Sequence, residues 1–516
     1  MRKLNYIQGA FILTITNLVT GTLAFIYRIF LSRSIGAEGM GVYQLVLPLY
    51  FLFITLVSGG ITTAVSKLVA EQNALHNTRN ITKTIRLCSL IIGTWSLLIC
   101  AVIVLNADYL SKYILKDART YFSIIVFTPA IFFISLAAII KGYFYGLQDV
   151  NPPALIDVME KVIRLIGLTI ATILLLPYGI ELVCAGAMAA MAAGELISLL
   201  LLFIAYKFKK IRVHGSSKTD RSFTIIGKIL TIAIPLSISG ALSTIMDMVN
   251  AVLIPSQLGV AGFDYKTALS LYGELTGMVL PLLFYPFIIV SSLTVTLVPA
   301  ITASYTAYNW IAVNKKCNDS LKITSVVSLA ATVLFLIFPA ELCRIFFNCP
   351  EAGVLLYWLS FSCFCTYWES ALFAILNSVG FQNKVLEYSI VNIIITVACS
   401  VIFIPIPAVG IYGFIIGSMI SNSVVMVMNL KALKKIPQIH IKYPDTIVKP
   451  LICFIGMYMA TRACNTFIST NELSKYNFII STAFGLIVYT IMLILTGTIT
   501  MKQFKNTILI RRNQPC

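Results

Sequence analysis

Val46-Leu47-Pro48-Leu49, followed by Phe51, Val57, Ser58, Thr63 and Val65, returns later in the chain as Val279-Leu280-Pro281-Leu282 with Phe284, Val290, Ser291, Thr296 and Val298. All nine positions keep one offset without a gap. Both copies lie in apolar stretches long enough to cross ~30 Å of hydrocarbon as helices. Repeated helical bundles that enclose a site between them are a common transporter plan, so transport is the first functional class the sequence suggests.

Working outward, 59% of the 516 residues are hydrophobic and only 11% are charged, with a mean hydropathy of +0.91. A soluble domain carries about 25% charged residues, so the composition predicts an integral membrane protein. The apolar stretches form about fourteen candidate spans, beginning at 7–31 and 42–66 and ending at 447–468 and 477–499. They are continuously apolar rather than alternating, which excludes a β-barrel and predicts an all-α fold. Met1-Arg2-Lys3 precedes an apolar run longer than a secretory core, and it is read as a retained first helix.

The formal net charge of +18 does not point to nucleic acid. Lys and Arg concentrate in alternate loops and at both termini, the distribution that places both ends in the cytoplasm. These residues would meet anionic phospholipid headgroups. The twelve cysteines include no C-x-x-C pair, and His76, His214 and His440 fall in three separate loops. No metal and no cofactor is therefore expected. Cys343 and Cys349 share one connection; a disulfide there is possible, with free thiols the preferred reading.

The repeat extends beyond the opening phrase. Gly36 and Gly39 correspond to Gly259 and Gly262; Gly146 and Gln148 to Gly380 and Gln382; Gly179-Ile180, Gly186 and Met188 to Gly410-Ile411, Gly417 and Met419. The expected organisation is a six-span half at 1–206, a basic linker at 207–223, a second six-span half at 224–430, and two further spans with a basic tail at 431–516. Six spans in each half make both halves enter the membrane in the same direction, a parallel repeat. A monomer is expected. Pro48, Gly59 and Gly60 interrupt the second span, and Pro281, Pro286 and Pro299 the eighth. Proline removes a backbone donor and crowds the preceding turn, so these are candidate hinges, although Gly and Pro are frequent in membrane helices generally.

Ionisable groups inside spans are costly and so are candidates for function. Arg28 lies in the first span and Lys67 at the end of the second, Asp247 in the seventh and Glu274 in the eighth; Glu195 and Glu369 lie deeper, in the sixth and tenth. The fifth span opens with Asp157, Glu160, Lys161 and Arg164. Asp157–Lys161 and Glu160–Arg164 are i, i+4 pairs with the acid first, the favourable order. They could simply neutralise each other near the surface. Alternatively, Glu160 positions Arg164 to bind an anion, for which the planar guanidinium is suited. Snorkelling is the bland reading of Arg28, and anion binding the functional one for Arg28 and Lys67. Asp247, Glu274 and Glu369 could couple transport to H⁺ or Na⁺, or serve only in ion pairs.

Arg28-Ile29-Phe30-Leu31-Ser32-Arg33-Ser34-Ile35-Gly36 with Gly39-Met40-Gly41-Val42-Tyr43, Gly59-Gly60, the segment Gly142-Tyr143-Phe144-Tyr145-Gly146-Leu147-Gln148-Asp149, Pro153-Ala154, Glu160 and Arg164 resemble the polysaccharide biosynthesis transporters, and within them the stage V sporulation protein B group. That group lies in the multidrug/oligosaccharidyl-lipid/polysaccharide (MATE-like) exporter superfamily and is related to the lipid II flippases. The resemblance covers essentially the whole chain. It implies movement of an undecaprenyl-pyrophosphate-linked sugar, lipid II for spore cortex peptidoglycan, across the bacterial cytoplasmic membrane by alternating access through a cationic cavity between the halves. Arg28 resembles a first-helix cavity arginine of those flippases. Where they carry another arginine in the eighth span, this chain reads Tyr272-Gly273-Glu274-Leu275, so the full arginine set does not carry over. Two alternatives stand beside this reading: a MATE-like drug or cation antiporter, and a membrane enzyme acting on lipid-linked sugars. The enzyme is disfavoured because the chain has no P-loop, no metal-ligand cluster and no long loop bearing an acid or base.

Overall fold

The computed structural model describes residues 6–75, 77–209, 220–469 and 477–498, and every regular element among them is helical. His76, His214, most of the basic linker and the tail beyond residue 498 lie outside the described residues. Twelve segments among the described residues are long and apolar enough to cross a membrane. The first of them, Ile12–Ala74, runs for 63 residues. A straight helix of that length would extend roughly 95 Å, about three bilayer cores. It is not straight. Helix α1 (Tyr6–Ser58) is broken at Gly36, where φ is 66° and ψ −170°, and the chain turns again at Gly59-Gly60 before α2 (Ile61–Ala74).

Two compact units partition the chain. Unit 1 comprises Met1–Met278 with Ile404–Ile411, and unit 2 comprises Val279–Phe403 with Tyr412–Cys516. In unit 1, α1 and α2 are followed by α3 (Thr78–Leu105), α4 (Tyr121–Gly146), α5 (Asn151–Leu175), α6 (Ile180–Lys209), α7 (Ser222–Val260) and α8 (Tyr265–Gly273). Helices α7 and α8, which the repeat assigns to the second half, pack on α1 within unit 1. A π-helical segment, Glu274–Val279, leads into unit 2, which contains α9 (Leu280–Phe284), α10 (Phe287–Thr306), α11 (Trp310–Ile337), α12 (Pro339–Phe347), α13 (Gly353–Ser378), α14 (Gln382–Phe403), α15 (Tyr412–Lys434), α16 (Lys449–Ser469) and α17 (Asn477–Leu495).

The repeated phrase does not break its helix at the same place in both copies. α1 continues through Pro48, and the interruption falls at Gly59-Gly60, where Gly60 has φ 72°. In the later copy the turn falls at Tyr285-Pro286, and α10 then runs uninterrupted past Ser291-Ser292 and Pro299. The cause is local. A left-handed φ is inexpensive only for glycine, and the second copy has serine and leucine at the corresponding positions. There the break depends on proline and the π segment before it.

Helices approach closely where glycine removes a side chain. Gly142 and Gly146, one turn apart on α4, face α2: a Cβ at Gly142 would stand 2.9 Å from the Thr62 carbonyl oxygen, and one at Gly146 2.6 Å from that of Ser66. The hydroxyl of Thr62 also donates to the Ala138 carbonyl at 3.2 Å. This is the small-xxx-small packing typical of membrane helices. Gly41 and Gly273 do the same for α1 and α8, a Cβ on either falling onto backbone of the other helix. A charged clasp adds to this contact. Arg119 pairs with Glu38 and Asp117, each at 2.8 Å, Lys266 lies 3.4 Å from Glu38, and the Tyr265 hydroxyl donates to Asp117 at 3.1 Å. Replacing Gly146 by valine should force α4 off α2 and cost about 2 kcal/mol, read as a lowered thermal midpoint of the purified protein in detergent; an unchanged midpoint would mean that this approach is not tight.

Candidate functional site

Helix α5 begins at Asn151 with Pro152 and Pro153 in its first turn, where proline's missing N–H costs nothing. Its charged face therefore starts two turns later. Of the two i, i+4 pairs offered by the spacing, one forms. Arg164 Nη2 contacts Glu160 Oε1, and it also contacts Glu195 Oε1 of α6 at 3.0 Å. Lys161 Nζ pairs with its neighbour Glu160 at 2.8 Å, while Asp157 turns away from Lys161 to Lys141 of α4 at 2.6 Å. The side chains of Glu160, Arg164 and Glu195 are 5%, 14% and 7% exposed, so this is a buried network in which both carboxylates depend on the guanidinium. Small residues allow α6 to come this near: Gly194 lies against the Glu160 carboxylate and carbonyl, and Ala190 against Gly167.

Three tyrosines of α1 border the same region. Tyr27 donates to the Ala187 carbonyl at 3.2 Å and Tyr43 to the Met191 sulfur at 3.5 Å, tying α1 to α6. Both are electrostatic neighbours of Arg164, and both of Arg28. Tyr50 lies in the field of Arg164, Glu160 and Glu195. Among the described residues its hydroxyl is buried without a partner, and so is Nε of Arg164. Arg28 is half-buried and is in no hydrogen bond or ion pair among the described residues. The network on α4, α5 and α6 balances its own charge, with Lys141, Lys161 and Arg164 against Asp157, Glu160 and Glu195. Arg28 is therefore the uncompensated cation of this region. It shares Tyr27 and Tyr43 with Arg164 as neighbours, and it could hold the oxygens of an anion.

The remaining candidates are elsewhere. Lys67 is exposed on α2, in no ion pair among the described residues. Asp247 is exposed on α7, has Tyr272 as an electrostatic neighbour and forms no ion pair among the described residues. Glu274 is half-buried at the first π-helical residue. Glu369 is half-buried on α13, within unit 2. Among the described residues no group of His, Cys, Asp and Glu could hold a metal ion. Lys141, Tyr27 and Tyr50 were not singled out from sequence, and Tyr43 only within the motif that carries the resemblance, because contacts between distant helices leave no local pattern. Glu195 gave one signal, as an ionisable group deep in the sixth span.

Arg164→Ala should leave Glu160 and Glu195 buried against one remaining local cation and destabilise the protein by roughly 3–5 kcal/mol. Arg28→Ala removes no pair and should change stability by less than about 1 kcal/mol. Thermal denaturation of the two purified variants separates them, and equal midpoints would contradict the arrangement.

Residues 6–305 match the family described as polysaccharide biosynthesis protein. The chain is similar to stage V sporulation protein B of Bacillus subtilis (strain 168), with 29% identity over 449 residues and 86% of each chain covered. It is also similar to the lipid II flippase MurJ of the same organism, at 24% identity over 351 residues, covering 65% of this chain and 63% of that one. Among solved structures, an inward-facing multidrug resistance MATE family transporter of the MOP superfamily superposes with a TM-score of 0.65 at 18% identity, covering 82% of this chain and 99% of the other. The inward closed conformation of lipid II flippase MurJ does so with a TM-score of 0.63 at 16% identity, covering 96% and 99%. These superpositions place the chain in the MATE-like transporter fold.

Proposed function

The chain belongs to the polysaccharide biosynthesis protein family, and we propose that it is a flippase for an undecaprenyl-pyrophosphate-linked sugar, with lipid II as the cargo. The observation that carries the reading is Arg28: a cation on an apolar, membrane-length helix, without a carboxylate partner among the described residues, whose neighbours Tyr27 and Tyr43 are also those of Arg164. An unpaired cation within a span is expensive, and a phosphorylated headgroup would supply the missing counter-charge through paired N–H···O bonds. Unaided passage of such a headgroup through hydrocarbon is prohibitive. In this reading Glu160 and Glu195 position Arg164, Lys67 guides the anion on its path, and the breaks at Gly36, Gly59-Gly60 and Tyr285-Pro286 supply pivots for alternating access.

The finer parts of the proposal follow from the same plan. Ile12–Ala74 would cross twice and α5 once, giving fourteen crossings in two six-span halves and a terminal pair, with both ends cytoplasmic in the bacterial cytoplasmic membrane. The protein would act as a monomer without covalent chemistry. Asp247, Glu274 and Glu369 are the candidates for H⁺ or Na⁺ coupling.

Labelled lipid II in vesicles containing the purified protein should become accessible in the opposite leaflet, and Arg28→Ala should slow this by roughly tenfold or more, the worth of one charge-assisted contact. Equal rates for wild type and Arg28→Ala would remove the anion site. Transport of cationic dyes without movement of lipid II would favour the drug-antiporter alternative. Imposing a pH or Na⁺ gradient on the same vesicles tests coupling: Glu369→Gln should abolish any acceleration by the relevant gradient, and an acceleration that survives the substitution excludes that residue.

A further inference from the structure

A second cationic site lies wholly within unit 2. Helix α11 is polar in its first half, and Lys315 and Lys322 on that half line a cavity of about 670 Å³ together with Lys442 and Lys449. Asp319 and Asp445 are the carboxylates of its lining. Lys449 pairs with Asp445 at 2.6 Å, and Lys322 lies 3.8 Å from Asp319. Lys315 and Lys442 are exposed and in no ion pair among the described residues. The cavity thus keeps two ammonium groups free beyond those its own acids neutralise.

These groups are held by a built framework. Asn314 and Asn318, one turn apart on α11, grip residues 438–442 as a neighbouring strand would. Asn314 Oδ1 accepts from the His440 amide at 2.6 Å, and its Nδ2 donates to the Gln438 carbonyl at 2.7 Å. Asn318 Oδ1 accepts from the Lys442 amide at 2.7 Å, and its Nδ2 donates to the His440 carbonyl at 2.8 Å. One turn pair further on, Ser325 donates to the Thr446 carbonyl at 2.5 Å and accepts from the Trp368 indole at 2.7 Å. A merely solvated basic face needs no such clasp. This one fixes the backbone of Lys442 beside Lys315, so two like charges are kept together at a cost that an anion would repay.

We propose that this cavity binds the phosphate of an anionic phospholipid headgroup. Ammonium groups are suited to phosphate as point charges, and the volume falls within the usual range of roughly 300–1,000 Å³ for ligand sites. The cavity borders the polar N-terminal ends of α11 and α16, both long and apolar enough to cross a membrane, which would set it at the headgroup level. Phospholipid phosphates would meet the cavity at that level, whereas soluble phosphate or pyrophosphate would offer the same chemistry from water. The site is independent of the cargo proposed above and shares no residue with it.

The full chain in detergent, supplemented with phosphatidylglycerol or phosphatidylcholine and examined by native mass spectrometry, tests this. Phosphatidylglycerol should be retained preferentially, and Lys315→Gln with Lys442→Gln should weaken its retention roughly thirtyfold, equivalent to about 1 kcal/mol per lysine. The thermal midpoint should not move, because neither lysine is paired. Equal retention of the two lipids, or equal retention of phosphatidylglycerol by wild type and the double variant, overturns the proposal. A parallel titration with inorganic pyrophosphate identifies the source: binding that the double variant loses, without lipid preference in the wild type, overturns the lipid assignment in favour of a soluble anion.

Discussion

Helices surrounded by lipid gain nothing by hiding apolar surface from one another, so a bundle there must be held by close contact or by paired polar groups. Both devices operate in unit 1. Glycine brings α4 onto α2 and α1 onto α8 at backbone distance, and a guanidinium held between two carboxylates joins α5 to α6. The two devices depend on each other. Glu195 meets Arg164 only because the small residues of α6 let that helix close on α5, and the ion pairs then make separation of the helices costly.

The same physics separates structural charge from available charge. Arg164 has its positive charge balanced by acids on its own and the adjacent helix, leaving only an unused N–H. Arg28 has no such partner. An anion site that combines them would therefore draw its net charge from α1 and its orientation from α5 and the tyrosines. The lysine-lined cavity of unit 2 follows the same rule on a polar helix end, where water lowers the cost of leaving two ammonium groups unpaired and a clasp of two asparagines holds the backbone in place.

The repeated phrase also shows how far sequence likeness constrains backbone shape. The copies agree at nine positions, yet one bends at Gly59-Gly60 and the other at Tyr285-Pro286, roughly two helical turns apart. Identity at apolar positions preserves packing surface. The location of a break depends instead on the few residues that tolerate left-handed φ or lack an N–H, and those differ between the copies.

Membrane insertion, helical class and family were determined by the sequence alone, because hydrocarbon thickness and backbone hydrogen bonding leave a long apolar run almost no alternative to a helix. The Glu160–Arg164 pair was equally legible, since i, i+4 spacing is a property of one helix. The tertiary structure decided the rest: that Asp157 selects Lys141 over Lys161, that Glu195 completes the network, that Arg28 is left unpaired among tyrosines, and that four lysines from two separate segments meet around one cavity. Each of these depends on contacts between helices distant in sequence. Such contacts are set by how closely two surfaces approach, a quantity that no periodicity along one chain segment contains.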